Sequence, residues 1–339
     1  MFSRTMNKNK ILVSAIIPCF ERADALQRLL ASLKKIKFSG TLEIIVVDDG
    51  SKDYRAIKKV VGKFKCSLLR FPANLGPSPA RNAGAKIAKG EFLWFLDSDT
   101  EVTDSDLLEK MVSHLKQDKC LAGVGGEMIR IDKKLYAIAY QYFPNWIFFV
   151  KHLPMREAFK IYPKFIPTNN LLVSKKDFLS INGFSPYFDM HEDIDFCLRL
   201  AGKANSKKPF LIQNDTCLLH HRSSEGREGS KFWFFNTPWN YVSTMHRSRL
   251  KLLFCHFPGL LPILPLLDIT FTPIVLLSQI FSRKMRSSDV LQKKSKNSSQ
   301  NFPIFVLFSL INMLLAWLKA WKLTTQSFFN DKESLIKKI

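Results

Sequence analysis

The run Phe92–Leu96, FLWFL, offers no polar face, and it stops abruptly at Asp97, Ser98 and Asp99. Five continuous apolar residues read as a strand buried in a core. Two carboxylates, two positions apart, therefore stand at the rim of that core. A second run, LEIIVV at 42–47, ends the same way, on Asp48, Asp49 and Gly50. Around these strands the periodicity alternates. ILVSAII (11–17) is β-rich, whereas ERADALQRLLASLKKI carries Leu26, Leu29, Leu30 and Leu33 at helical spacing. Residues 53–62 read as a basic amphipathic helix and CSLLRF as a short strand. PSPARNAGAKIAKG reads as a helix that opens on prolines and stops at Gly90. This β-α-β-α order predicts an α/β fold: a mostly parallel sheet flanked by helices on both faces.

In sheets of that kind ligands sit outside the carboxyl ends of the strands. Asp48, Asp49, Asp97 and Asp99 are thus expected to face one crevice. Four gathered carboxylates are costly unless cations or hydrogen-bond donors offset them. A divalent cation, Mg²⁺ or Mn²⁺, is the simplest compensation, since both prefer oxygen ligands.

Charge narrows the partners. The chain has 51 Lys and Arg against 29 Asp and Glu, a formal net charge of +22. Such an excess calls for an anionic partner: nucleic acid, an anionic membrane surface or a phosphorylated substrate. The sequence has neither zinc-finger spacing nor an RNA-recognition signature, so nucleic acid is not an expected partner.

Five stretches, taken together, resemble the family-2 glycosyltransferases of the GT-A (Rossmann-like) fold. They are VSAIIPCFER, IIVVDDGSKD, NLGPSPARNAGAKIAKGEFLWFLDSDTEV, NGFSPYFDMHEDIDFCLRL and LLHHRSS, in the family's order across roughly residues 11–225. The resemblance implies a catalytic domain that binds a nucleoside-diphosphate sugar and transfers the glycosyl group with inversion. It implies that the acids of DSD hold a divalent cation. Asp99 is the preferred direct ligand, and Asp97 either binds through water or contacts the ribose. Pro18, Phe20 and Glu21 line the nucleotide pocket, although many relatives carry Asn where this chain has Glu21. Asp48 or Asp49 contacts base and ribose, and the sequence does not separate the two. Arg81 reaches the base or the phosphates. In HEDIDF, Asp193 is the general base, and Glu192 positions the acceptor or supports the base. Asp195 and Arg199, four apart, are expected to form a helical salt bridge. Asn169 and Asn170 are candidates for sugar hydroxyls. A His at LLHH completes the metal site. Side chains alternate along a strand, so one of His220 and His221 is expected to face it, with His220 preferred.

Beyond residue 250 the composition shifts. The stretches 252–281 and 302–318 are nearly all apolar, and the first holds Pro258, Pro262, Pro265, Pro273 and Asp268. About 20 apolar residues span a bilayer, but prolines break a straight helix and both flanks of the first stretch are basic. A re-entrant or interfacial hairpin on the cytoplasmic face satisfies the positive-inside bias better than a single crossing. The expected organisation is a catalytic domain over 1–245 and a membrane-associated hydrophobic helical region over 246–339. The expected acceptor is a hydroxyl of a lipid-linked or cell-envelope glycan. A polyprenyl phosphate, already anionic and needing no base, is the rival acceptor, and a non-catalytic glycan- or nucleotide-binding role the rival function.

Overall fold

The computed structural model describes residues 12–126, 128–132, 135–142, 147–154, 160–188 and 191–221, together with Leu252, Cys255 and His256. The alternating half of the sequence folds as its periodicity predicts. β1 (Leu12–Cys19), α1 (Ala23–Leu33), β2 (Thr41–Asp48), α2 (Tyr54–Phe64), β3 (Ser67–Arg70), α3 (Pro77–Ile87) and β4 (Phe92–Leu96) follow in order. Next come β5 (Thr100–Glu101), α4 (Leu107–Gln117) and β6 (Gly123–Gly125). β7 (Met128–Asp132), β8 (Leu135–Tyr142) and β9 (Ile147–Pro154) make a separate three-stranded sheet. The remaining elements are β10 (Lys160–Ile161), β11 (Asn170–Ser174), α5 (Lys175–Ser180), α6 (Glu192–Ala204), β12 (Phe210–Gln213) and β13 (Leu219–His220).

The main sheet has eight strands in the order β10-β12-β6-β11-β4-β1-β2-β3. β4, β1, β2 and β3 are mutually parallel, as are β6 and β12, which gives the mostly parallel α/β sheet read from the sequence. One reversal matters for the site. β11 runs antiparallel to both β4 and β6, with Asn170 opposite Leu96 and Ser174 opposite Phe92. The reversal brings the start of β11 to the carboxyl end of β4, so Asn169 and Asn170 arrive beside the DSD turn.

The helices dock by the apolar stripes visible in the sequence. α1 buries Leu26, Leu29, Leu30 and Leu33, each contributing about 1.5–3 kcal/mol when taken from water. α2 is started by Asp53, whose carboxylate accepts from the amide of Ala56, and is stopped by Lys65 in the left-handed region. In β4 the side chains of Trp94 and Phe95 are fully enclosed. The single polar atom of Trp94 is satisfied by Asn170 Oδ1 at 3.0 Å, while Asn170 Nδ2 donates to the Thr216 carbonyl at 2.8 Å. Asn170 therefore holds the core together, and both ends of its amide are committed to protein.

Among the described residues no helix is long and apolar enough to cross a membrane. The apolar stretches 252–281 and 302–318, and the expected boundary at residue 245, lie outside the described residues.

Candidate active site

The DSD turn is built by its own backbone. The amide and hydroxyl of Thr100 both donate to the Asp97 carbonyl, at 3.1 and 2.7 Å, folding the chain back as it leaves β4. The short strand β5 that follows pairs antiparallel with β13, placing His220 opposite Thr100. Asp97, Asp99 and His220 thereby come together, each offering a ligand atom within 4.8 Å of the others. The pairing also separates the two histidines. His220 Nε2 faces Asp99 Oδ1 at 3.3 Å, whereas the His221 ring turns to Glu101 Oε2 at 2.7 Å. Alternation along the strand is the cause, so His221 stands outside the cluster and contributes its backbone amide to the Asp99 carbonyl at 2.9 Å.

Asp99 is the most enclosed acid of this cluster. Its Oδ2 receives Arg22 Nη1 at 2.7 Å, and its buried Oδ1 has no aligned hydrogen-bond donor among the described residues. Burial works to raise its pKa, but His220 and then Arg22 draw it below the ordinary carboxylate value. It is thus an anion at neutral pH with one buried oxygen directed at an imidazole nitrogen. Two carboxylates and an imidazole suit Mg²⁺ or Mn²⁺, and that buried oxygen fits a cation bound at Asp97, Asp99 and His220. Arg22 was not singled out in the sequence, although it directly follows Glu21.

A second cluster adjoins the first. Arg81, 3% exposed on α3, donates Nη2 to Asp97 Oδ1 and Nη1 to Glu192 Oε1, each at 2.9 Å. Its guanidinium also lies over the Phe184 ring, 5.5 Å from the centroid. Burial alone would lower its pKa, and the charges of Asp97 and Glu192 reverse that. The side chain read as a ligand of base or phosphate is therefore committed to two acids of the protein. The loop before α6 is fastened by Asn82, which donates to the Phe184 carbonyl at 2.7 Å and accepts from its amide at 2.9 Å. Phe184 stacks on Phe196 at 4.3 Å, holding α6 in place. Arg199 bonds Asp195 at 2.6 Å, as the spacing predicted, and the carbonyls of Ile181 and Gly183.

Glu192 and Asp193 open α6, where the helix dipole favours negative charge. Even so, the half-buried carboxyl of Asp193 is pushed up to about 7, first by desolvation and then by the charge of Glu192. The Ile194 amide, which donates to it at 2.8 Å, and Arg81 oppose the rise without cancelling it.

At the end of β2 the structure gives the adjacent acids different work. Asp49 accepts from the amides of Leu75 and Gly76, at 2.8 and 2.9 Å, which spends both oxygens on the loop leading into α3. Burial nonetheless raises its pKa. Asp48, fully buried, accepts from the Ser51 amide on Oδ1 at 3.1 Å. Among the described residues its Oδ2 has no hydrogen-bond partner, with Arg70 Nε 3.7 Å away. Gly50 makes the turn possible: its φ is +78°, and a Cβ there would meet the Ala73 carbonyl carbon at 2.4 Å. Pro18 and Phe20 are half-buried where β1 ends beside Asp48. Glu21, in the left-handed region at φ +54°, accepts from the Lys52 amide at 2.7 Å, and its own amide donates to Ser51 at 2.9 Å. Glu21 thus ties the β1 loop to the β2 loop.

The mostly parallel α/β sheet, with acidic strand ends gathered at one edge, is GT-A-like in fold. Residues 14–178 match the model of Glycosyl transferase family 2. Residues 14–178 are thus a family-2 glycosyltransferase domain by this match, in a chain similar to proteins named as glycosyltransferases. It is 27% identical over 227 residues to an uncharacterized glycosyltransferase of Haemophilus influenzae, covering 63% of this chain and 70% of that one. It is 26% identical over 218 residues to the amylovoran biosynthesis glycosyltransferase AmsB of Erwinia amylovora, covering 60% and 68%. Among solved structures, a mannosyltransferase from Pyrobaculum calidifontis in complex with GDP-Man and Mn²⁺ aligns with a TM-score of 0.54 at 14% identity. That alignment covers 92% of this chain and 83% of that one, and it establishes the likeness of fold.

Proposed function

We propose that the protein is an inverting glycosyltransferase. It takes a sugar from a nucleoside diphosphate and gives it to a hydroxyl of a lipid-linked or cell-envelope glycan, with Asp193 as general base. The observation that carries this reading is the raised pKa of Asp193, about 7, beside the DxD cluster. A general base works best when its pKa lies near the operating pH. A hydroxyl acceptor needs such a base, whereas a phosphate acceptor, already anionic, does not. The Erwinia relative, named an amylovoran biosynthesis glycosyltransferase, supports a biosynthetic glycosyl transfer.

The residues divide the work as follows. Asp97, Asp99 and His220 would hold a divalent cation. Such a cation, when bound, stabilises the negative charge growing on a nucleoside-diphosphate leaving group. Asp48, with a buried oxygen open to a donor, suits the nucleotide, and Pro18 and Phe20 wall the same edge. Arg81 keeps Asp97 and Glu192 at fixed separation. Asp193 takes the acceptor proton as the hydroxyl attacks the anomeric carbon. A single displacement of this kind needs one base and no protein nucleophile.

Asp193→Asn should cut kcat by roughly 10²–10⁴-fold, the usual share of a general base, while the dissociation constant of the donor stays near wild type. In the wild-type enzyme kcat/KM should climb with pH through about 7, because the base must lose its proton to act. A flat profile from pH 5.5 to 8.5, or a loss in donor binding equal to the loss in rate, would show that Asp193 only caps α6. Transfer to polyprenyl phosphate that persists in the variant would identify the rival acceptor.

The site of action is the cytoplasmic face of the membrane, where nucleotide sugars are made. The apolar stretches 252–281 and 302–318 and the six basic residues of 283–301, against one acid, Asp289, motivate this placement. A cysteine introduced at Ser295 should resist an impermeant thiol reagent added outside spheroplasts and react after permeabilisation. Labelling of intact cells would mean that the segment crosses.

A further inference from the structure

Asn169 stands beside the cation cluster without belonging to it. It is 3% exposed, and its Nδ2 lies 3.1 Å from His220 Nδ1. Its Oδ1 is buried and, among the described residues, has no hydrogen-bond partner. An amide that leaves its stronger acceptor unused in a buried place is under-satisfied. A half-turn about its Cβ–Cγ bond exchanges the two ends with almost no change of shape. After that turn Oδ1 faces Nδ1, and the orphan acceptor has a donor if Nδ1 carries the imidazole proton.

The proton on the ring has two possible homes, and each pairs with one orientation of the amide. With the amide as found, Nδ2 donates to Nδ1, so the ring proton sits on Nε2 and points at Asp99 Oδ1, 3.3 Å away. This arrangement sets an N–H beside the Asp99 carboxylate without a cation, but leaves Asn169 Oδ1 without a donor among the described residues. A nitrogen that binds a cation must instead present a lone pair from Nε2, and the proton then belongs on Nδ1, where it needs an acceptor. Beside Nδ1 the structure offers Asn169. We infer that Asn169 is a positioning residue for His220: its amide donates to Nδ1 in the cation-free site and turns to accept from Nδ1–H when a divalent cation binds, fixing the tautomer that exposes Nε2. The ring stays neutral throughout, one proton leaving Nε2 to solvent and one being taken up at Nδ1. A residue with a single fixed role, donor or acceptor, could serve one state but not both.

This inference rests on the reading of Asp97, Asp99 and His220 as a cation site, and the experiment separates the two. Mn²⁺ binding to purified full-length protein would be measured from the electron paramagnetic resonance of the free ion. Asn169→Leu, which supplies no acceptor, should raise the Kd about 10–100-fold, the usual effect of losing an outer partner of a ligating histidine. Asn169→Asp, an acceptor at neutral pH, should bind as tightly as wild type or more so. Wild-type protein carrying ¹⁵N-labelled histidine provides a readout that needs no variant. The His220 proton should be on Nε2 without Mg²⁺ and on Nδ1 at saturating Mg²⁺. Wild-type Mn²⁺ binding that is unaffected by Asn169→Leu, or a His220 tautomer that does not change, would overturn the inference and leave the cation site standing. Absence of Mn²⁺ binding by the wild type would overturn both.

Discussion

Arg81→Met should produce a protein that melts well below wild type and transfers no sugar. Arg81 is a buried cation bonded to both Asp97 and Glu192. Removing one partner of a buried ion pair strands the other charge, at a typical cost of ~3–5 kcal/mol. Here Glu192 would be left largely buried without its partner and Asp97 would lose its own, while Asp193, already raised by desolvation and by Glu192, would lose the opposing charge of Arg81 as well. Protonation of the abandoned acids offsets part of that cost at low pH, so the stability gap between variant and wild type should narrow as pH falls toward 5. Arg81→Lys should recover only a fraction, because one ammonium cannot make two fixed, divergent bonds. Urea unfolding at pH 7.5 and pH 5 tests this directly. A variant that unfolds at the wild-type midpoint at both values would mean that the two bonds contribute nothing net.

Asp99→Asn should abolish both cation binding and transfer. The amide keeps the shape but is a far poorer ligand for a hard cation. The loss of Mn²⁺ affinity should exceed the roughly 10–100-fold that an outer partner costs. Stability should fall less than for Arg81→Met, since Arg22 keeps access to solvent, with its side chain 20% exposed. Titration of free Mn²⁺, with a melting curve taken alongside, distinguishes a lost ligand from a lost fold. Undiminished transfer by EDTA-treated wild-type enzyme would dispose of the cation reading altogether.

How much of this could be read from the sequence depends on how each contact is encoded. Strand ends are local: an apolar run that stops at an acid marks both the element and its rim, so Asp48, Asp97 and Asp99 were legible. The Asp195–Arg199 bridge was legible because i and i+4 meet on one helical turn. The resemblance supplied a histidine for the site, and alternation along the strand limited it to one of His220 and His221. Arg81 was read as a ligand of base or phosphates, whereas its partners come from β4 and α6, and no periodicity encodes that meeting. Asp48 and Asp49 could not be told apart because their difference lies in a loop at Leu75 and Gly76 that folds back to one of them. Arg22 looked like the start of a helix, and its charge is drawn away by the DSD turn. The reversal of β11 was equally hidden, since direction leaves no mark on an apolar run such as NLLVS. That reversal is what carries Asn169 to the cluster.

The pairing of β13 with β5 has a consequence for the order of folding. β1, β2 and β3 are joined by short crossovers, so their contacts close small loops and can form early. His220 reaches Asp99 only after the intervening chain has been traversed, through a two-residue strand with little pairing of its own. The cluster is thus completed by one of the longest loop closures in the described fold, and that closure is the one a bound ion would reinforce. Ligand that binds only the closed state adds RT ln(1 + [L]/Kd) to its stability. Cation occupancy should therefore slow the opening of the β5–β13 ribbon while leaving amide exchange in β1 and β2 unaltered, making the ion a late clasp on the chain as well as an aid to its chemistry.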